Sequence, residues 1–144
     1  MPEILLADDN PSDVYLIREA LREHAVECRL RVASDGRDVL GILAGGGRET
    51  DAGNIDLIIL DLNLPRHDGI EILQRMRETE WMGRVPVVVL TSSDSPRDRL
   101  MANQLGVTRY LRKPSSLEEF LGLGAIFKEL LQQNEKTASQ RGSL

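Results

Sequence analysis

Residues 55–65 read Ile55-Asp56-Leu57-Ile58-Ile59-Leu60-Asp61-Leu62-Asn63-Leu64-Pro65, an apolar run that stops at an acid. Such a nearly continuous Ile/Leu run fits a strand buried on both faces, as in a parallel sheet. Four further apolar runs flank it: Ile4–Ala7, Cys28–Ala33, Val85–Leu90 and Val107–Leu111. The run Cys28-Arg29-Leu30-Arg31-Val32 alternates instead, which predicts one wet face or an edge position.

Helical patterns fill the gaps. Asn10-Pro11-Ser12-Asp13 supplies a cap, a proline at the first helical position and a first-turn acid. Val14, Ile17, Leu21 and Ala25 then share one face. Asp35-Gly36 opens a second helix with Val39, Leu40 and Leu43 inward. Asp68-Gly69 opens a third with Ile72, Leu73 and Met76 inward. Ser95-Pro96 opens a shorter fourth through Leu100, Met101 and Leu105, stopped by Gly106. Ser115 or Ser116 caps a fifth, with Leu117, Phe120, Leu121, Gly124, Phe127 and Leu131 inward. This strict βα alternation predicts an α/β fold: a flavodoxin-like, doubly wound, five-stranded parallel sheet of order 2-1-3-4-5. Residues 1–131 form the single domain. Gly45 to Asn54 is expected to be a mobile loop, and the polar tail 132–144 is expected to fray.

Composition narrows the function. The chain has 144 residues, 18 basic and 23 acidic, for a net charge of −5. One cysteine, Cys28, excludes an internal disulfide framework and a Cys-rich zinc site. Two distant histidines, His24 and His67, lack metal-ligand spacing, and His24 and Cys28 read as structural. The acidic balance speaks against nucleic acid as the main partner. The apolar runs are far shorter than the roughly 20 residues of a membrane helix. No signal peptide is expected, and a cytoplasmic location follows by default.

In such sheets, sites form beyond the C-terminal ends of the strands. Strand one ends in Asp8-Asp9, strand three in Asp61 and strand four in Thr91-Ser92. Lys113-Pro114 follows strand five. Clustered carboxylates repel one another, and a hard divalent cation such as Mg²⁺ relieves this. A cation with Lys113 beside it is a clamp for a transferring phosphoryl group, and Thr91 can hydrogen-bond one of its oxygens. A carboxylate can itself be the nucleophile; Asp61, on the central strand, is the best placed.

This combination resembles the receiver domain of two-component response regulators over about residues 3–131. Leu60-Asp61-Leu62-Asn63-Leu64-Pro65 followed by Asp68-Gly69 is similar to the family's segment around its phosphoacceptor. The resemblance implies that Asp61 accepts a phosphoryl group from a kinase histidine. It implies that Asp9, Asp61 and the backbone carbonyl of Asn63 ligate Mg²⁺ (or Mn²⁺), with Asp8 acting through water. Lys113, Thr91 and Ser92 would bind the phosphoryl group, and Tyr110 would rotate inward behind Thr91. The Lys113–Pro114 bond is cis by the same resemblance. Asn63 and Ser93 would tune dephosphorylation.

Within the family, Asp8-Asp9-Asn10-Pro11-Ser12-Asp13 and Val87-Val88-Val89-Leu90-Thr91-Ser92-Ser93 are similar to stand-alone, phytochrome-associated regulators. A phytochrome-type histidine kinase is therefore the implied partner. Gln132–Leu144 lacks the aromatic residues that group tends to carry in its C-terminal extension.

Plainer readings stand beside these. Asp8-Asp9 reads also as a helix-entry acid pair, Asp61 as a turn residue and Lys113 as a solvated lysine. Tyr110 reads equally as core filler. Leu100, Met101 and Leu105 read as packing residues, Trp81 as packing at the end of the third helix and His67 as a loop residue. Charges such as Arg97, Arg99, Arg109, Arg112, Glu118 and Glu119 read as a solvated face or as a homodimer surface. Two other functions remain open: a phosphorylation-independent interaction scaffold and a Mg²⁺-dependent phosphate-handling enzyme. An aspartate-nucleophile phosphatase would be expected to carry a second acid at position 63, which is Asn.

Overall fold

The computed structural model describes residues 1–44, 55–65, 68–78, 85–93 and 95–142, the last nine as backbone. The expectations for the 45–54 loop, His67 and Trp81 lie outside the described residues. Five strands and five helices alternate: β1 (Glu3–Ala7), α1 (Pro11–Glu23), β2 (Arg29–Ala33), α2 (Gly36–Ala44), β3 (Ile55–Leu60), α3 (Gly69–Glu78), β4 (Val87–Thr91), α4 (Pro96–Gln104), β5 (Arg109–Arg112) and α5 (Leu117–Gly142). The strands form one parallel sheet of order β2-β1-β3-β4-β5. The alternating run is accordingly an edge strand, partly exposed along most of its length.

Side chains of the central strands alternate between two cores. Leu5, Ala7, Ile58, Leu60, Val87 and Val89 pack with Val39, Ile72, Met76 and Ala102 from α2, α3 and α4. Ile4, Leu6, Leu57, Ile59, Val88 and Leu90 pack on the other face with Ile17 and Leu21 of α1 and Phe120 and Phe127 of α5. A strand with apolar residues on both faces has no polar period, which is why residues 55–60 look continuous in sequence.

The caps form as the sequence predicts. Asn10 Oδ1 accepts from the N–H groups of Ser12 (2.9 Å) and Asp13 (3.4 Å). Ser95 Oγ accepts from Asp98 N–H at 3.3 Å. Of the two candidates for α5, it is Ser116 whose Oγ accepts from Glu119 N–H, at 3.1 Å. Gly106 follows α4 with φ +76°, a left-handed backbone that glycine adopts without steric cost.

Several expectations need correction. Helix α1 ends at Glu23, so Ala25 lies in the turn beyond it with φ 55° and is exposed. On α5 the buried stripe is Phe120, Leu123, Gly124, Phe127, Leu130 and Leu131. Leu117 is 61% exposed because it borders the open cleft beside the start of α1. Leu100 is likewise exposed, at 59%. Helix α5 itself runs on past Gln132 to Gly142. Residues 132–142 hold no proline and include three Gln with one each of Glu, Lys, Arg and Ala, and extending an existing helix through such residues is easy. No helix among the described residues is long and apolar enough to cross a membrane.

Candidate functional site

Two acids and the lysine at the rim are placed by the sheet ladder itself. Asp8 N–H donates to the Ala33 carbonyl (3.0 Å), Asp61 N–H to Ala7 (2.9 Å) and Lys113 N–H to Thr91 (2.8 Å). The three residues therefore stand one step past their strands, still tied to the neighbouring strand. Asp8 and Asp61 then fold back in the same way. Asp8 Oδ1 accepts from Asn10 N–H and Asp61 Oδ1 from Asn63 N–H, both at 2.9 Å. These Asx turns fix the carboxylate planes and leave each Oδ2 facing the rim.

Lys113 Nζ fills the space between them. It lies 2.7 Å from Asp61 Oδ2, 3.0 Å from Asp8 Oδ2 and 2.7 Å from Asp13 Oδ2. Burial alone would lower the lysine pKa, but hydrogen bonds to Asp13, Asp61 and Asp8 outweigh it and hold the group above its ordinary value. Burial pushes the Asp8 carboxyl up, and Asp61 adds repulsion, while Asn10 N–H and the Lys113 ammonium pull it down.

The carboxylates of Asp8, Asp9 and Asp61 can bring one oxygen each within 4.8 Å of one another. Asp8 and Asp61 are buried, whereas Asp9 is exposed. All-oxygen donors with an open side suit a hard cation that keeps part of its water shell, as Mg²⁺ does. The three acids thus fit a divalent metal by donor chemistry and by their mutual repulsion.

Thr91 ends β4 fully buried. Its Oγ1 accepts from Asn63 Nδ2 and from Ser93 N–H, both at 3.2 Å. Ser93 also donates from Oγ to Asp98 (2.9 Å), and its carbonyl accepts from the Tyr110 hydroxyl (3.3 Å). Tyr110 is half-buried, with the Arg99 guanidinium 4.7 Å from its ring centroid, a cation–π contact. Ser92 is exposed and lines a cleft of about 450 Å³ with Asn10, Asp13, Lys113 and Pro114.

All the expected site residues therefore gather at one rim. One expectation fails: no peptide bond among the described residues is cis, so Lys113–Pro114 is trans. Trans is the lower-energy isomer of an X–Pro bond, by roughly 0.5–1 kcal/mol, and Lys113 reaches all three carboxylates from it. One residue goes unnoticed by sequence reasoning: Asp13 registers there only as a first-turn acid of α1. Its sole further signal is its position three residues after the cap, on the turn nearest the strand ends.

Comparisons with known proteins agree with this geometry. The family model for the response regulator receiver domain matches residues 4–123. Response regulator Rcp1 of Synechocystis is 34% identical over 116 residues, covering 81% of this chain and 79% of that one. The crystal structure of the phosphorylated cyanobacterial phytochrome response regulator RcpA superposes with a TM-score of 0.81 at 33% identity, covering 91% of this chain and 94% of that one. The Mn²⁺-bound form of Rcp1 superposes with a TM-score of 0.78 at 32% identity, covering 86% and 89%. The family match takes in the sheet from Ile4 onward and every residue of the acidic rim, and the chain belongs to the response regulator receiver domain family.

Proposed function

We propose that this receiver takes a phosphoryl group onto Asp61 from a phosphohistidine of a histidine kinase. The observation that carries the reading is the 2.7 Å contact between Lys113 Nζ and Asp61 Oδ2 beside the three-carboxylate cluster. An Asp61 oxygen attacks phosphorus in line, the P–N bond breaks, and the imidazole leaves with a proton. The product is a carboxylic–phosphoric anhydride. Hydrolysis by water returns the carboxylate and inorganic phosphate. Asp9, Asp61 and the Asn63 carbonyl, with Asp8 through water, would hold Mg²⁺ or Mn²⁺, which would supply charge neutralisation. Lys113 places its ammonium against the transferring oxygens. Thr91 Oγ1 already accepts two hydrogen bonds, which leaves its O–H to donate to the phosphoryl group. The receiver itself thus catalyses the transfer by positioning and electrostatics.

Movement of Thr91 toward the phosphoryl group breaks its bonds to Asn63 and Ser93. Through Ser93 it disturbs Tyr110, so the signal leaves as a changed surface around α4 and β5. Asn63 and Ser93, as partners of Thr91, set the dephosphorylation rate, and Ser92 lines the approach. Similarity to the phytochrome response regulator RcpA supports a phytochrome-type kinase as the partner, and such a partner would place the action in the cytoplasm. Exposed Arg109 of β5 and Glu118 and Glu119 of α5 offer both charge signs to a second copy, which supports a homodimer.

The test is intact mass after incubation with acetyl phosphate and Mg²⁺. Wild type is expected to gain one base-labile phosphoryl group and Asp61→Asn none. A folded wild type that gains nothing and binds no Mg²⁺ leaves the interaction-scaffold reading in front. Turnover of small phosphate esters would favour the enzyme reading.

A further inference from the structure

We propose that Asp13 is a positioning residue for phosphoryl transfer, holding the Lys113 ammonium from the α1 side while Asp61 is converted from carboxylate to acyl phosphate. The inference rests on Asp61 being the phosphoacceptor. An ammonium has three N–H donors, and Lys113 Nζ has three carboxylate partners within 3.0 Å: Asp8, Asp13 and Asp61. Asp8 and Asp61 approach from the ends of strands and belong to the metal-fitting cluster. Asp13 does not belong to it; it approaches from the first turn of a helix.

The Asp13–Lys113 contact, at 2.7 Å, is as short as the one to Asp61. The two side chains are 17% and 10% exposed, so water screens the pair weakly. The approach is also rigid. Asn10 caps the turn, with Asp13 N–H on its side-chain oxygen, and Pro11 stands at the first helical position.

Acylation changes what the lysine can hold. Once Asp61 bears the phosphoryl group, it is no longer a full carboxylate, and Asp8 is shared with the metal. Asp13 is then the lysine's one carboxylate partner outside both the metal and the reacting group. It keeps one N–H engaged and so aims the remaining donors at the phosphoryl oxygens. A first-turn acid that only complemented the helix dipole would have no such dependence on Lys113.

The test follows phosphorylation by acetyl phosphate at saturating Mg²⁺, with rates measured across donor concentrations and Mg²⁺ affinity measured by calorimetry. Asp13→Ala is expected to lower the limiting rate about tenfold, with less than a twofold change in Mg²⁺ affinity. Asp13→Asn, which keeps an acceptor oxygen, is expected to recover part of the loss. In a Lys113→Ala background, Asp13→Ala is expected to add no further loss. A wild-type rate in Asp13→Ala, or the same loss with and without Lys113, overturns the proposal while the phosphoacceptor reading stands. A wild type that gains no phosphoryl group overturns both.

Discussion

Helices α1 and α4 flank the same sheet but are held in different ways. Against α1, helix α5 packs at backbone distance. A side-chain carbon added at Gly124 would collide with the Ala20 carbonyl and the His24 ring. Ile17, Ala20 and Leu21 of α1 and Phe120 and Phe127 of α5 are buried around that contact. Helix α4 buries only Ala102 and leaves Leu100 exposed. Its C-terminal end is pinned from α3, where Arg77 donates to the carbonyls of Leu105 (2.7 Å) and Gly106 (3.0 Å). The side that carries Asp13 and leads into Lys113 is thus close-packed. The side next to Thr91, Ser93 and Tyr110 is held by the buried Ala102, by the partly buried Met101 and Leu105 against the core, and by these polar ties. Close packing keeps an ammonium where it is needed, and sparse apolar burial leaves an element free to shift at low cost. In the mechanism proposed above, this difference separates the chemistry from its readout.

The contrast can be broken most severely at Gly124. Gly124→Ala is expected to cost about 2 kcal/mol, as overpacking of a tight contact does, and to appear as a lower denaturation midpoint with an unchanged slope. An unchanged midpoint would mean that α1 and α5 part easily and that the two sides are alike. A middle-sized effect is expected from Arg77→Ala. Loss of its carbonyl contacts should cost about 1 kcal/mol and speed amide exchange selectively in α4 and the turn before β5. Uniform acceleration over the whole sheet would show that α4 is not a separately mobile element. The smallest effect is expected from Leu100→Ser. Its stability should stay within about 0.5 kcal/mol of wild type, because that side chain already faces solvent. A loss like that at Gly124 would place α4 among the tightly packed elements.

Much of this was legible in residue order, because the signals are local. The apolar run 55–60 and the acid after it mark a central strand and its C-terminal end without reference to anything distant. The caps at Asn10 and Ser95 act on N–H groups two or three residues away, and sequence reading finds them for that reason. Helical spacing does not show that Leu117 and Ala25 are exposed, because it describes a face and not where a neighbour stops covering it, as at Leu117, or where the helix itself ends, as before Ala25. The reach of α5 past Gln132 to Gly142 leaves no mark in the apolar pattern, because helix propensity does not require an apolar face.

The sequence by itself determined the alternation of strands and helices, the sheet order it implies and the gathering of Asp8, Asp9, Asp61, Thr91 and Lys113 at one rim. These follow from strand ends, which short-range patterns mark. Only the tertiary structure decided that Lys113 lies between three carboxylates, that the third is Asp13 and that the bond to Pro114 is trans. Asp13 and Lys113 are 100 positions apart. Their contact depends on where the first turn of α1 meets the end of the sheet, and α1 is held there by its packing on α5, which no local spacing records.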